Sequence, residues 1–265
     1  MRVTFDRDTV LPQPLQSWLV GGGSILRAAD HWRLALPALG GEHYADAQIS
    51  DYTSGNRRTL RWSPPVRLTI TAWASGPAEA LAGTAGFGFW NDPFVPGRAG
   101  LPRLPRAVWF FFSGPHSNMA LARDRRGNGW KAAVFGPRLA ALAALAPLAL
   151  PGFVVMRVPL LYRLLWPVGQ AALGVAEADL PGEWLAEPHR YTLTWLPQRV
   201  RFAVDGETVI ETERSPRGPL GFVAWIDNQY AVVTPQGRFA WGIAPTAAQW
   251  LALSALEIES LENLE

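Results

Sequence analysis

Residues 189–206, HRYTLTWLPQRVRFAVDG, constrain the fold of this chain more than any other stretch. Aromatic or aliphatic residues alternate with polar ones in two runs, 191–195 and 200–204. Alternation with a period of two, in residues of high β propensity, is typical of strands with one buried face. Asp205-Gly206 favours a tight turn into a further strand at 207–212. The sequence therefore predicts an antiparallel β structure here.

Similar segments recur along the chain between Gly- and Pro-rich turns. RLTITAW at 67–73, GFGFW at 86–90 and LGFVAWIDN at 220–228 alternate, whereas VWFFFS at 108–113 is apolar at both parities and predicts an inner strand. Many short strands with regular turn signals favour a sandwich or jelly roll. Because all-β domains of this length are often single units, we predict one all-β domain over residues 1–265.

Composition limits the chemistry that this chain can perform. It has no cysteine, so it has no disulfides and no thiolate nucleophile, and its four histidines show no metal-ligand spacing. We therefore predict no metal and no cofactor. The first residues are charged and lack an apolar core, which predicts no signal peptide and a cytoplasmic location.

Charge is unevenly distributed although the formal net charge is only +2. Residues 98–163 hold ten basic side chains and one acidic side chain, whereas residues 177–265 hold six basic and thirteen acidic ones. The basic part contains no motif that reads nucleic acid, and Lys131 is the only lysine, which indicates a compositional bias toward arginine. We predict no nucleic-acid partner.

One apolar segment interrupts the strand pattern. Residues 139–156 form a run of eighteen without a charge, but Pro147, Pro151, Pro159 and Pro167 favour short kinked helices over one long helix. We predict an apolar helical insertion at residues 135–179. Three roles stay open for it: packing against the sandwich, serving as a lid or a peripheral membrane contact through residues 138–173, or self-association.

The pattern H-x-Y-x-x-x-W followed by F-x-V-D-G resembles the concanavalin A-like lectin/glucanase superfamily, which includes family 16 glycoside hydrolases. The resemblance implies a jelly-roll sandwich with a concave groove. In those hydrolases one strand carries Glu-x-Asp-x-Glu, and GFGFW is the matching strand here. Gly86, Gly88 and Trp90 then replace the carboxylates, while Phe87 and Phe89 face the core. Since retaining hydrolysis needs two carboxyl groups roughly 5 Å apart, the resemblance implies a groove without that catalysis, deepened by the glycines.

Aromatic and polar residues near this groove are the candidate ligand-binding set. The set comprises Trp73, Trp90, Asn91, Asp92, Trp225, Asp227, Asn228, Gln229 and Tyr230. Flat rings with amide and carboxyl groups suit a sugar, or a polycyclic ligand with few polar groups. The leading hypothesis is therefore noncatalytic binding of a glycan or other small organic ligand.

Two alternatives remain open. The first is a hydrolase or an isomerase/cyclase acting on an apolar substrate, with Asp92 or Asp227 as general base and His116 as its partner. The second is a peripheral membrane or assembly module that uses the insertion. Asp46 and Asp51 are also candidate calcium ligands, although solvated carboxylates at a strand edge are the favoured interpretation.

Overall fold

The computed structural model describes residues 1, 11–28, 30–52, 59–93 and 104–262. These residues form two antiparallel seven-stranded sheets and a separate hairpin. Sheet I has the order β1 (Gln16–Val20), β4 (Asp46–Ser50), β13 (Gly221–Asp227), β6 (Thr84–Trp90), β7 (Ala107–Ser113), β8 (Gly129–Phe135) and β9 (Ala176–Asp179). Sheet II has the order β12 (Glu207–Thr212), β11 (Arg199–Val204), β10 (His189–Leu196), β5 (Val66–Ala74), β16 (Gln249–Ser260), β3 (Trp32–Leu36) and β2 (Ser24–Arg27).

The core lies between the two sheets. In β5 every second residue is buried, as the alternation of RLTITAW predicts. Phe87 of sheet I contacts Tyr191 of sheet II edge to face, with ring centroids 5.2 Å apart, and Phe110 contacts Phe202 at 5.1 Å. Aromatic pairs in this geometry add to the stabilisation from apolar burial. Two packed antiparallel sheets confirm the predicted jelly-roll sandwich.

The hairpin predicted from residues 189–206 is confirmed. β10 pairs with β11 in a register that places Trp195 opposite Val200 and Tyr191 opposite Val204. Asp205 and Gly206 connect β11 to β12, and their φ angles are 51° and 89°. Two successive positive φ values match a type I′ turn, whose twist suits a two-residue hairpin connection.

The insertion connects β8 to β9, which are neighbours in sheet I. It contains α1 (Leu139–Leu145), α2 (Ala149–Val155) and α3 (Pro159–Leu173), with a short 3-10 turn between the first two. The predicted helical character is confirmed, but residues 176–179 form a strand rather than part of the helical segment. Among the described residues, no helix combines the length and apolarity needed to cross a bilayer.

A small hairpin and two short 3-10 turns complete the described part of the fold. A hairpin of β14 (Gln229–Val233) and β15 (Phe239–Ile243) extends from the end of β13 and lies outside both large sheets. Short 3-10 turns occupy Ala78–Ala80 and Gly182–Ala186. The hairpin bridges to the loop after β7 through Asn118 and Val232, so both lie at the same end of sheet I.

Candidate functional site

The outer face of sheet I carries a strip of aromatic side chains. Phe87 and Phe89 of β6 lie in the core, so the alternate residues Gly86, Gly88 and Trp90 face outward, as predicted. The register places Trp225 beside Gly86 on one side and Phe111 beside it on the other. We call the surface formed by Trp18, Trp90, Trp109, Phe111 and Trp225 the aromatic face.

Four of these rings contact one another. Trp90 and Trp225 are stacked with their planes 10° apart, Trp109 lies 5.2 Å from Trp225 between ring centroids, and Phe111 lies 5.2 Å from Trp109. Trp225 is 8% exposed, whereas the other three are only partly buried. Trp225 Nε1 donates to Thr84 Oγ1 at 2.9 Å, which fixes the tilt of that ring. The strip is therefore ordered and still reachable from solvent.

Gly86 and Gly88 have a different role from the one expected. A Cβ atom at Gly86 would lie 3.0 Å from the Trp225 ring and 2.3 Å from the Phe110 carbonyl oxygen. At Gly88 it would lie 2.7 Å from Trp109 Cβ. The expectation that these glycines deepen an open groove is therefore wrong, because the Trp225 ring occupies the space at Gly86, and Trp109 and the Val108 carbonyl oxygen occupy it at Gly88. The glycines let these neighbouring groups approach β6 closely.

An open stretch of the face lies between two tryptophans. Trp18 of β1 pairs with Gln48 of β4, and Gln48 pairs with Trp225 of β13, so all three side chains lie on the same side of the sheet. Two strand spacings separate the tryptophan backbones by about 10 Å. Trp18 is 50% exposed and Gln48 is partly buried. Gln48 therefore provides a hydrogen-bonding group beside the exposed flat surface of Trp18, while the buried Trp225 ring lies on its other side.

Two carboxyl groups lie one row further along the same face. Asp46 of β4 and Asp227 of β13 are directly opposite in the register. Asp227 Oδ1 accepts hydrogen bonds from Thr84 Oγ1 at 2.9 Å, from Thr84 N at 3.2 Å and from Gln229 N at 3.0 Å. Among the described residues, Asp46 Oδ1 has no hydrogen-bond partner. The pair is therefore asymmetric, with one carboxyl group held by donors and the other less satisfied.

Burial changes the acidity of both groups. Burial, followed by the nearby charge of Asp227, raises the pKa of Asp46 to about 8, although a hydrogen bond from Tyr44 opposes the shift. Burial raises the pKa of Asp227 to about 7, against the opposing effect of its Thr84 and Gln229 donors. Burial, with the charge of Asp46 as the next cause, also raises the pKa of Tyr44. At neutral pH this end of the aromatic face therefore holds a protonated Asp46 beside a partly ionised Asp227, so the pair can donate as well as accept a hydrogen bond.

The candidate ligand residues do not form a single site. Trp73 lies on sheet II, where its ring is 4.9 Å from His31, and so it faces away from the aromatic face. Asn91 and Asp92 follow β6 at the end where Trp90 pairs with Gly221, whereas Asp227 pairs with Thr84 at the other end. Six residues of strand separate these ends by about 20 Å. Asp92 and Asp227 therefore cannot act on one small substrate together.

Several of these polar residues hold the backbone in place. Asn91 accepts from Arg106 N at 2.9 Å and donates to Leu104 O at 3.0 Å. Asn228 is fully buried and bonds the backbone of Ala45, His43 and Ala244. These amides join loops at the two ends of sheet I, and their groups are already engaged within the protein.

The remaining candidates lie around the β14–β15 hairpin. Tyr230 is partly buried and its ring centroid lies 5.8 Å from that of the exposed His116, while Gln229 is exposed. Gln229 is joined to Asp227 through its backbone N–H. His116 is thus placed at the same end of the sheet as Asp227, next to Tyr230.

The two calcium candidates occupy different environments. Asp46 lies on the aromatic face, whereas Asp51 accepts from Phe222 N at 2.8 Å and from the Trp62 indole. The part of the chain that the structure describes contains no group of three or more His, Cys, Asp or Glu side chains placed to hold a metal ion. Asp51 instead ties the loop after β4 to β13.

Sequence reasoning missed several members of the aromatic face. Trp109 and Phe111 belong to the segment VWFFFS, for which the sequence predicted only an inner strand, and β7 does lie between β6 and β8. Because this segment is apolar at both parities, it could also have predicted aromatic rings on the outer face of the sheet. Trp18 gave no such signal, because its place beside Gln48 depends on β1 pairing with β4.

The chain matches no protein-family model and no curated protein. Solved structures of similar fold include the VIP36 exoplasmic/lumenal domain in its Ca²⁺/Man-bound form, with a TM-score of 0.50 and 11% identity, covering 94% of this chain and 83% of that chain. A structure from work on endo-acting O-glycanases of the human gut microbiota gives a TM-score of 0.50 at 10% identity, covering 99% of both chains. A Bacillus licheniformis β-glucanase gives 0.46 at 10% identity, covering 94% of both chains. At such identities the likeness concerns the fold alone, and the fold of this chain is a two-sheet jelly-roll sandwich.

Proposed function

We propose that the protein binds a glycan or other small organic ligand on the aromatic face of sheet I without cleaving it. The observation that carries this proposal is the row Trp18–Gln48–Trp225, in which an amide lies between two indole rings on neighbouring strands. Sugar rings stack their C–H faces on indoles, while amides bond hydroxyl groups. Trp109 and Phe111 extend the apolar surface across β7.

The absence of catalysis is inferred from β6. The residues that face outward there are Gly86, Gly88 and Trp90, and none can act as a nucleophilic carboxylate or a general acid. The similar folds of the Man-bound VIP36 exoplasmic/lumenal domain and of a structure from work on O-glycanases make glycans the first ligand class to test. A reducing-sugar assay on mixed-linkage β-glucan should show no product.

Binding can be tested with three probes: mannose oligosaccharides, mucin O-glycans and mixed-linkage β-glucan. We expect calorimetry to detect at least one of them, and Trp18→Leu and Trp109→Leu each to weaken it about threefold to tenfold, since an aromatic contact contributes about 0.5–1.5 kcal/mol. Trp73→Leu is the matched control, because Trp73 is partly buried on the other sheet. If no probe binds, or if only Trp73→Leu weakens binding, the proposed site is wrong.

A second candidate function is acid–base catalysis on an apolar substrate, and the Asp46–Asp227 pair favours it. Two carboxyl groups of raised pKa, opposite each other beside Trp225, can exchange protons near neutral pH. Turnover of nitrophenyl esters or glycosides that disappears in Asp227→Asn would support this candidate. Asp92→Asn is the control, since Asp92 lies at the far end of β6.

A further inference from the structure

The longest helix of the insertion presents its apolar side to solvent. Trp166 Nε1 donates to Leu121 O at 2.8 Å, and Gln170 Oε1 accepts from Arg123 N at 3.0 Å, so these two side chains of α3 face the protein. Leu160, Leu164 and Val168, spaced four residues apart, are 65%, 63% and 57% exposed. A surface helix of a globular protein normally has the opposite orientation, with its apolar stripe against the core.

The exposed apolar surface continues beyond α3. In α2, Leu150 is 78% exposed and Phe153 packs against Phe239 of β15, with ring centroids 5.6 Å apart. Trp241, two residues further along the same face of β15, is 85% exposed. The structure describes all of residues 139–173, and among them only Ala172 is buried. Helices α1–α3 with Phe239 and Trp241 therefore form one apolar surface, which we call the foot.

The charged residues within the insertion are all positive, and the negative charge of Asp124 near α3 is paired with Arg123. The charged residues of segment 138–173 are Arg138, Arg157 and Arg163, all exposed, and the sequence has no acidic residue between 125 and 176. An apolar surface surrounded by arginine complements the boundary between acyl chains and anionic headgroups. Tryptophan and tyrosine favour the same depth in a bilayer, which suits Trp241.

A polar cavity opens between the foot and the hairpin. It has a volume of about 520 Å³ and is lined by Asn118, Arg157, Thr234, Gln236 and Arg238. Two guanidinium groups with amide and hydroxyl donors form a set suited to a phosphate group, which arginine binds with two parallel hydrogen bonds. Arg238 directly precedes Phe239, so the cavity borders the apolar surface.

The topology of the insertion limits how the foot can contact a membrane. β8 and β9 are adjacent strands, and Gly136 N donates to Gly174 O at 3.3 Å, so the insertion leaves and re-enters the sandwich at one place. Both ends of the insertion are thus on the same side of any surface that it touches. The geometry therefore requires the helices to lie along a bilayer rather than cross it once.

We propose that the foot docks on a bilayer that contains anionic phospholipids, with its leucines among the acyl chains and a lipid phosphate between Arg157 and Arg238. This proposal does not rest on ligand binding by sheet I, which lies in a different part of the molecule. Docking would place the aromatic face of the sandwich at a fixed height above the membrane.

Flotation of the whole protein with vesicles tests this proposal. One set of vesicles contains phosphatidylcholine alone and the other an equimolar mixture with phosphatidylglycerol. We expect binding to the mixed vesicles only, and weaker binding at high salt because exposed charges are screened. Arg157→Gln with Arg238→Gln should weaken binding about thirtyfold, since each arginine near the surface contributes about 1 kcal/mol. Leu150→Glu with Leu164→Glu should abolish it.

Matched controls separate docking from a loss of folding. Leu26→Glu changes a leucine that is 54% exposed on sheet II, and Arg201→Gln changes an exposed arginine of that sheet, so neither should alter flotation. The leucine variants should keep the thermal transition of the parent, since those side chains are exposed. A collapse of that transition would overturn the proposal by showing that the leucines are core.

Three other results would also overturn the proposal. The first is no binding to either kind of vesicle. The second is a concentration-dependent dimer that light scattering detects and that Leu150→Glu with Leu164→Glu abolishes, because the foot would then bind a second copy. The third is inorganic phosphate raising the thermal transition through Arg157 and Arg238 while vesicles do not bind, which would indicate a site for a free anion.

Discussion

His189 and Asp205 show at the residue scale what the hairpin motif does. His189 Nδ1 lies 2.5 Å from Asp205 Oδ2, and Arg190 N donates to Asp205 Oδ1 at 2.8 Å, so the carboxylate joins the start of β10 to the turn after β11. Trp195 is fully buried, and its indole N–H donates to Ser215 Oγ at 3.1 Å. The residues that resemble the superfamily therefore stabilise sheet II, on the opposite side of the core from the aromatic face. This explains why the motif predicted the fold and carried no information about a site.

Asp46 and Asp227 make stability depend on pH. Their pKa values are raised to about 8 and about 7 in the folded protein, from about 3.9 in an unfolded chain. The folded state then binds more protons than the unfolded state from roughly pH 4 to 8, so the free energy of unfolding falls as pH rises through that window. Asp46→Asn should flatten this dependence in urea titrations, because the variant lacks one buried acid and relieves the other of a like charge.

Glu187→Gln is the control for the pH experiment. Glu187 is exposed, so this variant should keep the slope of the parent protein. Stability that increases between roughly pH 5 and 8, or an Asp46→Asn variant with an unchanged slope, would contradict the assigned burial of the carboxyl pair.

At the scale of elements, β8 and β9 are joined by a buried ion pair on the outer face of sheet I. Lys131 is 3% exposed, and its Nζ lies 2.7 Å from Glu177 Oε2. The same ammonium donates to Arg126 O, which holds the loop before β8. Burial raises the pKa of Glu177, and the charge of Lys131 opposes that shift. The strand that follows the insertion is thus anchored by charge as well as by its backbone ladder.

Lys131→Met should lower the free energy of unfolding by about 3–5 kcal/mol, because Glu177 would stay buried without its partner. Lys131→Met with Glu177→Leu should recover most of the loss, since Glu177 then leaves no buried charge and Asp179, 3.9 Å from Lys131 Nζ, keeps Arg125 at 3.8 Å. Arg67→Met is the control, as Arg67 pairs with Glu259 at 3.2 Å on the surface and should cost at most about 1 kcal/mol. Chemical denaturation measures the free energy of unfolding of all three variants. A double variant as unstable as the single one would show that the pair is not what anchors β9.

For the whole molecule, we expect the insertion to be separable from the sandwich. Gly136 and Gly174 meet at its base, and Ala172 is its one buried residue among positions 139–173. Replacing residues 137–173 with a short Gly-Ser turn should therefore leave a protein with a strand-dominated circular dichroism spectrum and a cooperative thermal transition. The same protein should no longer float with anionic vesicles, and its ligand binding should be unchanged.

A longer deletion provides the comparison. Replacing residues 137–179 also removes β9, which pairs with β8 from Lys131 to Val134. This variant should be clearly less stable than the shorter deletion, because it loses the backbone hydrogen bonds between β8 and β9 and the Glu177 carboxylate that pairs with buried Lys131. Equal stability of the two deletions would mean that β9 contributes little, and an unfolded shorter deletion would mean that the helices belong to the core.

Local sequence patterns account for the part of the fold that could be predicted. Successive side chains of a strand point to opposite faces, so the parity of Phe87 and Phe89 follows from the sequence alone. Asp205-Gly206 predicts its own turn, because only a few residue types accept two positive φ angles. Pro147 and Pro159 lie where the predicted helices are interrupted, because proline lacks a backbone N–H, whereas α2 and α3 continue through Pro151 and Pro167, so the prediction of a break there was wrong. None of these inferences requires knowledge of a distant residue.

The candidate site depended on contacts that no local pattern encodes. Alternation shows that a strand has two faces, but it does not show which sheet the strand joins, and so Trp73 was grouped with Trp90 and Trp225 although it lies on sheet II. Sequence determined most of the strands, though not β9, together with the turn chemistry and the helical insertion, because steric preferences and periodicity act within a few residues. Only the tertiary structure decided that β4 lies between β1 and β13, which brings Gln48 between Trp18 and Trp225 and Asp46 opposite Asp227. That order is set by the packing of whole sheets around one core, where the free energy depends on all strands together.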